Sequence, residues 1–165
     1  MLLGIWHVSW TVSDIERSKA FYETLGFEMM HYQENKNDYT GELVGLEGVH
    51  LKAAMMRFAD TPPGLSGHVI ELIEYVTPTG EHLRYRPCDV NASHLAVITD
   101  NAHELHERMV AAGATFVSPP VAITGGINKG GFTCYMRDLD GYIIELMQPP
   151  KWRLEGKPRP VEGAE

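Results

Sequence analysis

The sequence predicts an α+β fold of two tandem β-α-β-β-β modules, and three observations carry that prediction. His7 opens a β-like run, Ile5 to Val12, followed by an acidic turn at Asp14, a helical pattern to Leu25 and a closing Gly26. His94 opens a second run to Thr99, then Asp100, a helical pattern to Ala112 and Gly113, so His and Gly stand 19 residues apart in both copies. Each copy then closes on a matching strand, Val69-Ile70-Glu71-Leu72 or Ile143-Ile144-Glu145-Leu146, with Pro78 or Pro149 shortly after. One His and one Glu thus recur at equivalent places, and those are side chains that hold divalent metals.

In the first module the faces of Ile5–Val12 alternate. Trp6, Val8, Trp10 and Val12 form a side suited to packing under a helix, and His7, Ser9 and Thr11 a side suited to a polar cavity. Ser13-Asp14-Ile15-Glu16 fits an S-x-x-E capping box, with the Ser13 hydroxyl on a free amide of the first turn. Ile15, Phe21, Tyr22 and Leu25 make the apolar stripe, and Gly26 suits the left-handed C-terminal cap. Phe27 to Tyr32 reads as a strand, residues 33 to 42 as a polar turn, and Leu43–Leu46 and Val49–Phe58 as strands about a turn at Glu47-Gly48. Ala59 to Gly67, with Pro62-Pro63-Gly64, reads as a loop before the closing strand Val69–Val76.

In the second module Ala102, Leu105 and Met109 form the buried helix stripe. Ala114–Val117 and Phe132–Arg137 read as strands around a glycine-rich segment over 124–131, and Asp138–Gly141 as a turn before Tyr142–Met147. The His-to-Glu spans are 64 and 51 residues, so the 13 extra residues of the first copy fall after Gly26. The expected organisation is a single domain over 1–150, with module 1 at 5–76, a linker at 77–92 and module 2 at 93–149. Residues 151–165 mix charge and proline without periodicity and are expected to form a flexible tail.

The net charge of −8 argues against nucleic acid or an anionic membrane as partner, since neither acidic surface would attract the chain. Cys88 and Cys134 form no C-x-x-C pair and read as reduced thiols. The N-terminus carries no signal-peptide pattern, and no apolar stretch approaches the roughly 18 residues that span a bilayer. A cytoplasmic protein is expected.

Parity gives the repeated His and Glu their meaning. Glu71 shares a strand face with Val69 and Ile73, and Glu145 with Ile143 and Met147. A carboxylate there loses hydration unless it meets a cation, a hydrogen-bonding group or water. If the repeats pair their sheets, His7, Glu71, His94 and Glu145 converge on a mixed N/O site for one divalent ion: Ni, Co, Zn, Mn, Fe or Mg. His103 and His106 read as a solvated helix face. His31, His50, His68 and His82 have no counterpart in the other repeat and read as surface or pocket-edge groups. The loop at 124–131 lacks the G-x-G-x-x-G and Walker patterns and reads as a mobile or tightly turning lid, with phosphate cradling by Lys129 the alternative. Met55, Met56, Phe58 and Met136 read as core.

At these residues the chain resembles the vicinal oxygen chelate superfamily, the glyoxalase, bleomycin-resistance and extradiol-dioxygenase group. The stretches that carry the resemblance are HVSWTVSDIERSKAFYETLGFE, HVIELIEYVTP, SHLAVITDNAHELHERMVAAGA and MRDLDGYIIELMQP, within residues 5 to 149. It implies paired modules forming a trough around one metal that substrates chelate through neighbouring oxygens. The His/Glu/His/Glu set resembles that of bacterial glyoxalase I, and that of methylmalonyl-CoA epimerase with an amide at the first Glu. Extradiol dioxygenases use two His and one Glu, so Glu71 tilts the resemblance toward proton transfer. Glyoxalase I has arginine four residues past its first ligand and asparagine four past its second, where this chain has Thr11 and Tyr75; the glutathione contacts do not carry over. Nor does the epimerase's separate catalytic Glu, since Lys52–Met55 holds no acid.

The function so implied is a metal-dependent isomerase or lyase that stabilises an enolate or enediolate during proton transfer. Glu145 is the first choice of base and Glu71 the second. Arg84 and Arg86 are candidate carboxylate or CoA-phosphate contacts, with linker surface charges the alternative. The expected partners are a small-molecule substrate and a second copy of the chain in a homodimer. An Fe(II) extradiol-type dioxygenase on His7, His94 and Glu145, and a non-enzymatic drug-binding protein of the bleomycin-resistance type, are the alternatives.

Overall fold

The computed structural model describes residues 5–58 and 68–158. The expected loop over 59–67, the first four residues and the end of the expected tail lie outside the described residues. The chain falls into two compact units, Met1–Leu83 and Arg84–Glu165. Each carries a mixed sheet of the predicted α+β type.

In the first unit β1 (His7–Thr11) lies at the sheet edge, parallel to β4 (Val69–Thr77). The sheet continues antiparallel through β3 (His50–Phe58) to β2 (Phe27–Asn35), in the order β1-β4-β3-β2. Helix α1 (Ile15–Leu25) buries Ile15, Phe21, Tyr22 and Leu25, the stripe read from the sequence. Each such side chain taken fully from water stabilises the fold by roughly 1.5–3 kcal/mol. Gly26 ends the helix at φ 106°, a left-handed conformation that a Cβ would strain.

Several local expectations are corrected. The N-cap of α1 is Asp14, whose carboxylate accepts from the Arg17 amide at 2.9 Å, while Ser13 instead accepts from the Arg17 side chain. Of the apolar face of β1, Trp10 and Val12 are buried but Trp6 is 73% exposed and Val8 is exposed, because an edge strand is not covered along its length. β2 runs on to Asn35. Leu43–Val44 belongs to a helix, α2 (Asp38–Val44), rather than a strand. Asn37 caps it through the Thr40 amide, and Gly45 stops it in the left-handed region. Leu43, at 68% exposure, belongs to no core, so its apolar character misled the strand assignment.

In the second unit β5 (His94–Ile98) is again an edge strand, parallel to β9 (Ile143–Gln148), followed by β8 (Phe132–Arg137) and β6 (Thr115–Phe116). A short β7 (Val121–Ala122), not anticipated, also pairs with β8. Helix α3 (Ala102–Ala111) buries Ala102, Leu105 and Met109 as expected. Neither α1 nor α3 carries an insertion. The surplus of the first module lies after Gly26, in longer strands and α2. The start of the expected tail is ordered as α4 (Lys151–Leu154), a single turn too short for any periodicity to announce it. No helix among the described residues is long and apolar enough to cross a membrane.

A shared device fixes each helix to its sheet. Glu74 Oε2 accepts from the Ile15 amide at 2.9 Å, and Gln148 Oε1 accepts from the Ala102 amide at 2.8 Å. Both acceptors stand three residues past the repeated Glu, and both satisfy a first-turn amide that the helix cannot pair itself. Gln148→Ala strands the Ala102 amide, so it should lower stability by about 1–2 kcal/mol in denaturant titration. Glu74→Gln, which copies the second unit, should cost less than Glu74→Ala; equal losses would show that the capping bond is not what matters.

Candidate metal centre

The parallel pairing of the first and last strands of each unit places its His beside its Glu. In the first unit His7 stands opposite Val69 and Ser9 opposite Glu71. In the second His94 stands opposite Ile143 and Ala96 opposite Glu145. The offset is the same, so two side chains from adjacent strands meet on one face. His7 Nε2 lies 3.1 Å from Glu71 Oε2, and His94 Nε2 lies 3.3 Å from Glu145 Oε2. The carboxylate side chains are only 14% and 16% exposed, whereas the imidazoles are more open at 29% and 44%.

The donor chemistry suits a divalent ion. Two atoms each about 2.1 Å from one ion and at right angles about it stand about 3.0 Å apart, close to both pair distances. A hydrogen bond from the imidazole would satisfy the same distances, and either arrangement gives a carboxylate shielded from water the partner it needs. His7 Nδ1 is buried without a hydrogen-bond partner among the described residues, so the ring is held by its Nε2 contact with Glu71 and by packing, including the edge of Trp6. The His94 ring lies against Tyr135. The structure thus brings together His7 with Glu71 and His94 with Glu145. Among the described residues no group of three or more His, Cys, Asp or Glu side chains is gathered.

The two pairs are not held alike. Met55 stands opposite Glu71, and Tyr135 opposite Glu145. Two residues before them in β3 and β8 come Ala53 and Thr133. The Thr133 hydroxyl donates to Glu145 Oε1 at 2.9 Å, and Ala53 has nothing to donate. Burial, and then the Glu145 carboxylate, push the Tyr135 phenol above its ordinary value. Thr133 was not singled out from the sequence. Its signal is positional and needs the register of the β8–β9 hairpin.

The remaining candidates lie elsewhere. His103 packs on Phe132 and His106 on Phe116, and His50 binds Glu34. Arg86 is paired with Asp89 in the linker. Thr11 is exposed, and Tyr75 packs on Val49, Leu51 and Ala53. The glycine-rich segment is tightly turned, with bonds from Gly130 N to Ile123 O and from Ile123 N to Gly131 O. Gly131 sits so close to β9 that a Cβ would stand 2.1 Å from the Gln148 carbonyl oxygen. Met55, Met56 and Met136 are core, and Phe58 stacks on Phe27.

The family model for the Glyoxalase/Bleomycin resistance protein/Dioxygenase superfamily matches residues 4–146. A glyoxalase-family protein from Bacillus cereus is similar in structure, with a TM-score of 0.78, 21% identity, and 91% of this chain and 96% of that one covered. Glyoxalase I from Zea mays matches with a TM-score of 0.58 and 19% identity over 88% of this chain, which spans 44% of the maize chain. A Glu-to-Gln mutant of a fosfomycin resistance protein from Listeria monocytogenes, complexed with Mn(II) and 1S,2S-dihydroxypropylphosphonic acid, matches with a TM-score of 0.58 and 19% identity, covering 93% and 95%. At these identities the likeness is one of fold. No curated protein matches the chain significantly.

The two thiols should differ sharply. Cys88 is exposed, whereas Cys134 is 3% exposed and burial, reinforced by Glu145, pushes its thiol up to about 11. At pH 8 only ~0.1% of such a thiol is thiolate, the reactive form. A thiol-reactive dye should therefore label Cys88 in the native protein and Cys134 only after unfolding. Rapid labelling of both in the native state would contradict the burial.

Proposed function

The chain belongs to the glyoxalase/bleomycin resistance protein/dioxygenase superfamily, and from that premise we propose that it is a divalent-metal-dependent isomerase or lyase of glyoxalase or epimerase type. The observation that supports this most is the repeated His–Glu pair, set at the same strand register in both modules, at 3.1 and 3.3 Å. His7, Glu71, His94 and Glu145 are the proposed ligands of one ion, with one pair drawn from each kind of module. The substrate class is a small molecule with a carbonyl beside a hydroxyl, carboxylate or thioester, so that neighbouring oxygens can chelate. The Listeria protein likewise pairs a divalent ion, Mn(II), with a compound that carries neighbouring oxygens.

When bound, the ion supplies Lewis acidity that offsets negative charge on substrate oxygen. The chain supplies the rest. His7 and His94 would hold the ion, and the strands leave the Glu71 and Glu145 side chains only 14% and 16% exposed to water. A carboxylate oxygen of Glu145 or Glu71 receives the proton from the carbon next to the carbonyl and returns it. The proposed protein is cytoplasmic and homodimeric.

Metal analysis of the purified protein, followed by deuterium uptake from D₂O into 2-oxo, 2-hydroxy and acyl-CoA compounds, tests this reading. One ion per chain and exchange at carbon are expected. Failure to retain Ni, Co, Zn, Mn, Fe or Mg would end it, and catechol-dependent oxygen uptake would assign the dioxygenase chemistry instead. His7→Ala and His94→Ala should each reduce metal occupancy. Replacing the base carboxylate by its amide should slow exchange on the order of 10²–10⁴-fold, more than it weakens metal binding.

A further inference from the structure

We propose that Arg57 and His31 form an oxyanion-binding site on the sheet face of the first unit that carries His7 and Glu71, so that the substrate bears a carboxylate, phosphonate or phosphate group besides its carbonyl. The anion site stands on the first unit alone, and only its link to a substrate rests on the reading above. Strand register supplies the placement. Met55 of β3 stands opposite Glu71 of β4 on one side and His31 of β2 on the other, so the three share one face. Arg57, two residues past Met55, shares it too, while Met56 between them goes to the opposite, fully buried face. One step beyond the Met56–Ile70 pair the same register brings Arg57 level with Val69, which stands opposite His7.

The four strands of this sheet carry two Lys or Arg residues, and they are used differently. Lys52 lies on the helix side and binds Glu74 at 3.0 Å. Arg57 is exposed and has no hydrogen bond or ion pair among the described residues. The repeat sharpens the contrast. Arg137 of the second unit stands two residues past Tyr135, which faces Glu145 as Met55 faces Glu71. Its guanidinium donates to the Gly141 and Tyr85 carbonyl oxygens at 2.7 and 2.6 Å, and so serves the framework. The equivalent fork of Arg57 is left open, and a guanidinium matches carboxylate and phosphate oxygens two at a time. His31, exposed on the neighbouring strand, adds a ring N–H beside it, just past the bulge between Met29 and His31. Adjacent strands stand about 4.8 Å apart, so Arg57 on β3 and His7 on β1 are about 10 Å apart across β4, the span of a small molecule. Glu28, opposite Arg57 in β2, is the competing carboxylate on this face, and the two make no ion pair among the described residues.

The test uses the full chain, metal-free, with isotope-labelled arginine and histidine side chains followed by NMR. Inorganic phosphate, methylphosphonate and acetate are the probes, and acetamide is the neutral control. A saturable shift of the Arg57 side-chain signal with an oxyanion and none with acetamide is expected, and the anion bound most tightly tells a phosphate-type from a carboxylate-type group. Arg57→Gln, followed on the His31 ring, should weaken binding roughly 10–100-fold, the usual effect of losing hydrogen bonds to a charged group. Arg57→Lys keeps the charge without the fork and should fall between, and it serves if the glutamine protein does not fold. Glu28→Gln, which removes the competing charge, should tighten binding. In the deuterium-exchange assay Arg57→Gln should raise KM for carbonyl compounds with a further oxyanion far more than for neutral ones. No saturable oxyanion binding in the wild-type protein, or equal binding in Arg57→Gln, would overturn the proposal. Oxyanion binding at Arg57 in a protein that retains no metal would uphold this site while ending the metal reading, and metal-dependent exchange without oxyanion binding would do the reverse.

Discussion

Everything proposed for this protein depends on one constraint: in each module the first strand lies parallel to the last. A β-hairpin would join these strands antiparallel; here α1 or α3 and the intervening strands carry the chain back, and the pairing closes only after a long excursion. Parallel pairing at the observed register sets His7 beside Glu71 and His94 beside Glu145 with the same two-residue offset. The alternation of a strand then decides the rest. Ile70 and Leu72, or Ile144 and Leu146, go under the helix, and the carboxylate goes to the opposite face. A one-residue slip would turn the glutamate under the helix, toward buried Ile15 and Tyr22, where an unpaired charge is not tolerated. The apolar core on one face thereby enforces the polar pair on the other.

The same logic explains how the helices are tied to the sheets. Glu74 and Gln148 lie on the helix side of their strands, three residues beyond Glu71 and Glu145, and reach the first amide of α1 and α3. Glu74 also binds Lys52 at 3.0 Å, and that bond holds the Lys52 ammonium above its ordinary value. Lys52 therefore belongs to the framework on the helix side, away from the carboxylate face. Each closing strand thus carries two polar residues with opposite duties, one toward the helix and one toward the proposed metal.

Most of this architecture was legible in the sequence because it rests on periodicities that sequence expresses directly. The stripes Ile15, Phe21, Tyr22, Leu25 and Ala102, Leu105, Met109 are buried as their spacing requires, and Gly26 and Gly113 both adopt positive φ. What escaped was decided by contacts between distant residues or by elements too short to show a period. Ser13 and Asp14 are both good caps, and only the position of the first turn selects Asp14. The seven residues of α2 expose the leucine that had suggested a strand, and β7 and α4 are shorter still. At the candidate site the repeated His and Glu of each module were legible, whereas the bond from Thr133 was not. It depends on the hairpin turn at Asp138, whose carboxylate collects the Asp140 and Tyr142 amides and thereby fixes which residue of β8 faces Glu145.

The account's central claim is that the two His–Glu pairs serve one ion. X-ray absorption at the metal edge, on protein loaded with a single equivalent of Ni(II), tests it most directly. The account predicts a mixed nitrogen and oxygen shell at roughly 2.0–2.3 Å with two imidazoles contributing, falling to one imidazole in either His7→Ala or His94→Ala. A shell with a single imidazole in the wild-type protein, with a sulfur ligand, or unchanged by either substitution would contradict it.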